Sequence, residues 1–238
     1  MKFSLNVDHV AFLRNARAEE NPDPVTFALM AEQYGIDGIV VHLREDRRHI
    51  NERDLRLLRE LIKTKLDLEM AAVQDIIDIA CDVQPDLVTL VPEKREELTT
   101  EGGLNVIDNL ELIKNTIEQL HNENIPVSLF VEPDLNQIDV SAEINADFIE
   151  IHTGVFANTQ TEEEMFDELE TIRQAVKHAK KLGLGVNAGH GLNYQNIKEF
   201  VAIKDIDEVS IGQAVIAKSV FVGLEKAIRE MFDLINQK

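Results

Sequence analysis

Cysteine and long hydrophobic runs are scarce in this chain. Cys81 is the only cysteine among 238 residues, so the sequence excludes an intrachain disulfide and a metal site built from several cysteines. No apolar run approaches the ~20 residues that a membrane-spanning helix needs. The opening MKFSLNVD has the pattern of a strand and lacks that of a signal peptide. We therefore expect a cytoplasmic protein that does not associate with membranes.

Positive charge is also scarce. The 24 Lys and Arg residues are outnumbered by 44 Asp and Glu residues, which gives a formal net charge of −20. This balance argues against nucleic acid as a partner, because the phosphates of a nucleic acid are usually met by a basic face. The basic residues that do occur are clustered, with three arginines in LREDRRH and with Lys94 and Arg95 after Pro92. A small phosphorylated substrate therefore remains compatible with the composition.

Apolar runs alternate with amphipathic segments along the whole chain. Eight segments have the pattern of strands: 3–8, 38–43, 67–72, 87–92, 126–132, 147–153, 185–189 and 208–212. Each is followed by a helix-like segment, without a linker or a break in composition. This order predicts an α/β protein, a (β/α)₈ TIM barrel of parallel strands in which residues 1–238 form one domain. An open doubly wound sheet would explain the alternation, but not eight units that end with the chain.

Several helix boundaries carry capping signals. Asp23 can cap a helix that has Pro24 at its first position. Thr161 and Glu164 have the spacing of a capping box, and Gly183 follows a pair of lysines as a helix stop. The clearest helical patterns cover residues 54–66, 106–123, 162–183 and 220–237.

Five of the seven histidines lie at or just beyond the ends of apolar runs, beside carboxylates: His9, His42, His49, His152 and His190. In a TIM barrel the carboxyl ends of all strands form one rim, and strand side chains alternate between the interior and the helices. This alternation sends apolar residues such as Leu68 outward. The polar residues predicted to face the mouth are Asn6, Asp8, His42, Arg44, Glu69, Glu150 and His152. Because an unpaired buried charge costs several kcal/mol, so many polar groups indicate an acid–base active site at the rim.

The loops of the last two units are rich in small residues. NAGHGLNYQN and SIGQA would let backbone N–H groups approach an anion at a helix N-terminus, and the last two loops of a barrel often bind phosphate. The glycines at 183, 185 and 189 do not form a dinucleotide fingerprint, because their spacing is wrong and a strand separates them.

Two questions stay open from the residues alone. The long loop VPEKREELTTEGG could be a lid over the site, and its sequence agrees equally well with a flexible surface loop. No HExxH motif or compact cluster with ligand spacing is present, but metal ligands scattered over several strands remain compatible with the sequence. A metal-dependent phosphosugar isomerase or epimerase and a catalytically silent phosphosugar-binding protein are therefore the alternatives to a metal-free enzyme.

Seven motifs, in order along nearly the whole chain, resemble those of the pyridoxine 5′-phosphate synthase family. They are NVDHVAFLRNAR, VVHLREDRRHI, LEMA, LVPEKREELTTEGG, FIEIHTG, VNAGHGLNYQN and SIGQAVI. The resemblance implies that 3-amino-2-oxopropyl phosphate condenses with 1-deoxy-D-xylulose 5-phosphate to give pyridoxine 5′-phosphate, phosphate and water. It also implies acid–base catalysis without a metal or organic cofactor, a closing lid at TTEGG, and assembly as a homo-octamer.

The same resemblance implies roles for individual residues. His42 and Glu69 would be general bases, His190 a general acid, and Glu150 would stabilise a transition state. The residues that would contact substrate or hold its phosphate are Asn6, Asp8, His9, Arg17, Arg44, His49, Thr99, Gly191, Gly212 and Gln213. His152 has no role implied by the family.

The chain departs from the family pattern at three positions. Gln213 stands where the family often has histidine, which would alter phosphate affinity if the side chain makes the contact. Phe12 and Phe156 replace the more usual Thr and Tyr, and we expect both to be peripheral.

Overall fold

The computed structural model describes residues 1–93 and 102–236. Its strands run parallel and close into one barrel in chain order, with the first strand beside the last. The strands are β1 Lys2–Asn6, β2 Gly38–His42, β3 Lys65–Met70, β4 Leu87–Leu90, β5 Val127–Val131, β6 Phe148–His152, β7 Gly185–Gly189 and β8 Glu208–Ile211. The predicted TIM barrel is confirmed.

Helices surround the barrel and connect its strands. They are α1 Asp8–Asn15, α2 Pro24–Gln33, α3 Glu52–Leu61, α4 Gln74–Val83, α5 Leu110–Asn122, α6 Leu135–Glu143, α7 Gly154–Ala157, α8 Glu162–Lys181, α9 Ile197–Phe200, α10 Gln213–Val222 and α11 Leu224–Ile235. Within the described residues, no helix is both long and apolar enough to cross a membrane.

The helix predicted over 54–66 ends at Leu61, because β3 begins at Lys65, and the helix predicted from residue 106 begins at Leu110. Two predicted capping signals are confirmed. The Asp23 side chain accepts a hydrogen bond from the Val25 N–H, and Thr161 and Glu164 form both hydrogen bonds of a capping box. The helix predicted over 220–237 is confirmed for Leu224–Ile235 but is not continuous, because α10 ends before Gly223 and α11 begins after it. Gly223 has φ +84°, a conformation that glycine adopts without strain, and the chain changes direction there.

Two layers of side chains emerge from the barrel strands. The outward residues, such as Leu68 and Ile149, are buried in a continuous apolar core beneath the helices. The inward residues are largely polar. Lys65 Nζ lies 2.6 Å from Glu208 Oε1 across the lumen, and the Thr89 hydroxyl donates to Asp67 Oδ1 at 2.9 Å. The predicted parity is therefore correct, and a polar interior leads up to the mouth.

Candidate active site

A cavity of about 330 Å³ opens at the carboxyl ends of the barrel strands. Its walls bring together residues that are far apart in the chain and that the sequence predicted as site residues. They are Asn6, Asp8, His9, His42, Arg44, His49, Glu69, Glu150, His190, Gly191, Gly212 and Gln213.

Three further predicted residues do not lie in this wall. Arg17 is exposed in the turn after α1 and does not line the cavity. Thr99 and most of the loop predicted as a lid lie outside the described residues. His152 lines a separate groove that it shares with His190.

His42 is at the centre of a network at the end of β2. Its backbone N–H donates to Asp8 Oδ1 at 2.9 Å, and its Nδ1 lies 3.9 Å from Glu69 Oε2. Its Nε2 lies 2.8 Å from Glu93 Oε1. Burial opposes the charge of Glu93, but hydrogen bonds from His42 and the Glu45 N–H hold the pKa of Glu93 below its ordinary value. A carboxylate therefore anchors His42 from one side while a second carboxyl group approaches from the other.

Sequence reasoning missed Glu93. The residue lies in the VPEKR motif, directly before the basic pair Lys94 and Arg95. The signal that could have found it is its position just past β4, because polar residues beyond strand ends meet at the rim.

Burial favours the neutral form of the other histidines of the cavity. Burial lowers the pKa of His49, although Asp8 opposes the shift, and the Nδ1 of His49 accepts a hydrogen bond from the Ile50 N–H at 2.9 Å. Burial also lowers the pKa of His9 and of His190. Rings of this kind can accept a proton and release it again close to neutral pH.

Glu69 and Glu150 place two carboxyl groups in the mouth of the barrel. Burial raises the pKa of Glu150 to about 8, and the nearby Asp67 adds to the effect. Burial raises the pKa of Glu69 well above its ordinary value, and repulsion from Glu150 raises it further. Burial therefore favours the protonated form of both carboxyl groups.

The part of the cavity wall formed by the last two loops has the features of an anion-binding site. Gly212 caps the N-terminus of α10, and Gln213 is the first residue of that helix. A Cβ on Gly212 would lie 2.9 Å from the Asn6 carbonyl oxygen, so only glycine fits there. Gly191 has φ +80°, which also favours glycine. The N–H groups and the dipole of α10 favour a phosphate at this end.

Phe12 contradicts the expectation that it is peripheral. It lines the cavity, and its ring centroid lies 4.7 Å from that of His49. The reason is that α1 begins directly after β1 and carries Phe12 back over the mouth. Phe156 does not line the cavity and packs against Phe200 in the core, with 5.7 Å between ring centroids.

The two remaining histidines are partly exposed. His121 contacts Asp147 and His178 contacts Asp139, both through Nε2, away from the cavity.

One group of side chains in the described part of the chain could hold a metal ion. Asp8, His42 and His49 each offer a ligand atom, and these atoms all lie within 4.8 Å of one another. The hydrogen bond that His49 Nδ1 accepts from the Ile50 N–H and the contact of His42 with Glu93 already use two of the ring nitrogens.

The sequence matches a known family and its curated members over nearly the whole chain. The family model described as Pyridoxal phosphate biosynthesis protein PdxJ matches residues 3–237. Pyridoxine 5′-phosphate synthase of Geobacter metallireducens is 54% identical over 234 residues, which cover 98% of each chain. The synthase of Chlorobium phaeobacteroides is 53% identical over 235 residues, which cover 99% of this chain and 100% of the relative.

Solved structures show the same fold at low identity. Thiamine phosphate pyrophosphorylase from Pyrococcus furiosus aligns with a TM-score of 0.62 at 18% identity, covering 98% of this chain and 95% of the other. Phosphoribosyl anthranilate isomerase from Thermus thermophilus aligns with a TM-score of 0.63 at 13% identity, covering 99% and 98%. At such identities the likeness concerns the fold alone.

Proposed function

The chain belongs to the PdxJ family of pyridoxal phosphate biosynthesis proteins and is an enzyme of vitamin B6 biosynthesis, and we propose that it is a pyridoxine 5′-phosphate synthase. In this proposal it condenses 3-amino-2-oxopropyl phosphate with 1-deoxy-D-xylulose 5-phosphate. The products are pyridoxine 5′-phosphate, inorganic phosphate and water. The reaction needs imine formation, dehydration, phosphate loss and ring closure, and therefore several proton transfers.

The observation that carries the proposal is the meeting of acid–base groups and an anion-binding wall in one cavity. Glu69 and Glu150, whose pKa values burial raises, line the same cavity as Gly212 and the start of α10, which offer backbone N–H groups. A phosphorylated substrate held by its phosphate at α10 would place its carbon skeleton toward the carboxyl groups. Arg44, whose side chain also lines the cavity, supplies positive charge for a second phosphate.

We assign the proton transfers to ionisable residues whose positions in the cavity allow contact with substrate. Glu69 and His42 act as general bases. They are neighbours on β3 and β2, with His42 Nδ1 3.9 Å from Glu69 Oε2, so both can reach the same substrate. His190 acts as a general acid after its ring has taken up a proton in the reaction, since the lowered pKa of the ring then favours release of that proton to substrate. Glu150 is the more deeply buried carboxyl group and, while protonated, donates a hydrogen bond to charge that develops on the substrate.

The remaining cavity residues contact substrate in this proposal. Gly191, Gly212 and Gln213 hold phosphate, and the backbone N–H at 213 makes the contact whichever side chain is present. The other contacts within the cavity are Asn6, Asp8, His9, Arg44 and His49. The family resemblance adds Arg17, which does not line the cavity, and Thr99, which lies outside the described residues.

We also propose, from the family resemblance, that residues 1–238 form one catalytic domain, that it assembles as a homo-octamer, and that it works in the cytoplasm. Light scattering coupled to size-exclusion chromatography tests the assembly. A mass of one chain in solution would contradict it.

Incubation of the purified protein with both substrates tests the proposed reaction. We expect a new ultraviolet absorption from the pyridine ring and release of one inorganic phosphate per product. Neither signal should develop when one of the substrates is left out. Absence of product with both substrates present would reject the proposal.

A metal-dependent phosphosugar isomerase or epimerase is the second candidate, since Asp8, His42 and His49 could supply three ligands. It predicts loss of activity on treatment with EDTA and recovery on addition of a divalent ion. The proposed synthase is expected to be indifferent to both treatments.

A further inference from the structure

His152, which is buried, pairs with the partly exposed Glu132, and the proposed chemistry does not use this pair. His152 ends β6, its side chain is 3% exposed, and its Nδ1 lies 2.8 Å from Glu132 Oε1. The same oxygen accepts a hydrogen bond from the Gly103 backbone N–H at 2.7 Å. Because the backbone holds the carboxylate and the carboxylate holds Nδ1, the His152 ring has a defined orientation.

The His152 ring packs beside His190. The two ring centroids lie 5.3 Å apart, and Phe130 lies at the same distance from His152. The Nε2 of His152 is buried and has no hydrogen-bond partner among the described residues. A Cβ on Gly154 would lie 2.3 Å from this Nε2, so the ring occupies its place only because residue 154 is glycine.

The next residue, Thr153, holds the backbone of His190. Its hydroxyl lies 2.8 Å from the Gly189 carbonyl oxygen and 2.6 Å from that of His190. His190 has φ +77°, a left-handed conformation that is uncommon for residues other than glycine. Such a conformation persists when the surrounding structure supports it. The end of β6 therefore contacts both the ring and the backbone of His190.

We propose that Glu132 and His152 are a positioning pair, which fixes the orientation of the His190 ring for proton transfer. This inference rests on the proposed function, in which His190 is the general acid. The pair does not touch the cavity in which the substrate would bind, since His152 and Glu132 are absent from its wall. It acts through His190, which lines both the cavity and the adjacent groove.

The charges around His190 agree with this role. Burial lowers the pKa of His190, and a charge on His152 of β6 or His9 of α1 lowers it further. Burial opposes the charge of Glu132, but the contacts with His152 and the Gly103 N–H hold its pKa below the ordinary value. The other ionisable groups that line the groove or the cavity wall beside His190 are Glu164, Asp167 and Glu168 of α8, Glu150 of β6 and Asp8 of α1.

Replacement of His152 by phenylalanine tests the pair, because it keeps a ring and removes both nitrogens. We expect kcat to fall about 10- to 100-fold with little change in KM, as for other residues that orient an active-site group. The NMR titration of the His190 ring is expected to move to higher pH, since the neighbouring charge is lost. That titration needs no substrate, so it tests the pair even if the proposed reaction is wrong.

A pair of variants at position 132 separates orientation from folding. Glu132→Gln keeps an oxygen that can accept from His152 and the Gly103 N–H, and should retain most of the turnover. Glu132→Ala removes both hydrogen bonds and should lose turnover as His152→Phe does. The matched control is His178→Phe, which breaks a surface pair with Asp139 (2.6 Å) and should change neither kcat nor the His190 titration.

Two results would overturn the inference. One is a His152→Phe protein with the parent's kcat and His190 titration. The other, which decides the matter if His152→Phe does not fold, is equal turnover in Glu132→Gln and Glu132→Ala.

Discussion

The two faces of the barrel strands differ in chemistry although their residues alternate along the same chain. On β3, Leu68 and Met70 point outward and are 0% exposed beneath the helices. Their neighbours Asp67 and Glu69 point inward toward the lumen and the mouth. A TIM-barrel interior is usually filled by branched apolar residues. Here the inward face carries ionisable groups where packing alone would favour valine or isoleucine.

We infer from this difference that the outward face stabilises the fold and that the inward face supplies the proposed chemistry. Burial of the outward residues stabilises the fold, at about 25 cal/mol for each Å² of apolar surface removed from water. Burial of the inward residues opposes their charge instead, and it raises the pKa of Asp67 to about 6 and that of Glu150 to about 8. Replacements of residues adjacent in sequence are therefore expected to have different effects, a loss of turnover on the inward face and a loss of stability on the outward face.

Glu69→Gln should produce the largest effect, a loss of turnover without a loss of stability. The amide has nearly the same shape but cannot accept a proton, so kcat is expected to fall about 10²- to 10⁴-fold. The dissociation constant for substrate, measured by calorimetry, should remain close to that of the parent. The exposed Glu60→Gln on α3 is the control. Full activity in Glu69→Gln would remove Glu69 from the mechanism.

Leu68→Ala should act on stability alone. The side chain is fully buried in the outer core, so its truncation is expected to lower the free energy of unfolding by about 2–5 kcal/mol. Denaturant unfolding followed by circular dichroism measures this loss. At Leu61, which is 44% exposed, the same replacement should cost far less. Equal losses at the two positions would show that the outward face does not carry the stability assigned to it.

Glu150→Gln should raise stability while it lowers turnover, and the gain should depend on pH. The pKa of Glu150 is raised from 4.5 to about 8 in the folded chain. Below pH 4.5 the group is protonated in both states; as pH rises from there to about 8, the unfolded chain ionises first and the parent loses stability. The variant lacks this loss, so its advantage should grow over that window to about 1–4 kcal/mol.

Unfolding of Glu150→Gln and the parent at pH 5 and pH 8 measures the advantage. A variant that is less stable than the parent at pH 8 would show that the buried carboxyl group contributes to folding. Asp67→Asn offers a second test of the same kind. Its stability advantage over the parent should stop growing near pH 6, because the pKa of Asp67 is raised to about 6.

The barrel and most of its mouth could be predicted because both follow from short periods in the sequence. Alternation with a period of two sets Leu68 outward and Glu69 inward, and parallel strands bring their carboxyl ends together. The contact between His42 and Glu93, and the return of Phe12 over the cavity, depend on loop geometry that no local period encodes. The break at Gly223 was missed because the apolar spacing continues through it.

The central claim is that the inward face performs acid–base chemistry and the outward face stabilises the fold. Turnover per folded molecule, measured side by side for Leu68→Ala and Glu69→Gln at a temperature where both are folded, tests it most directly. We predict near-parental turnover for Leu68→Ala and a loss of at least about 100-fold for Glu69→Gln. Similar turnover per folded molecule in the two variants would contradict the claim.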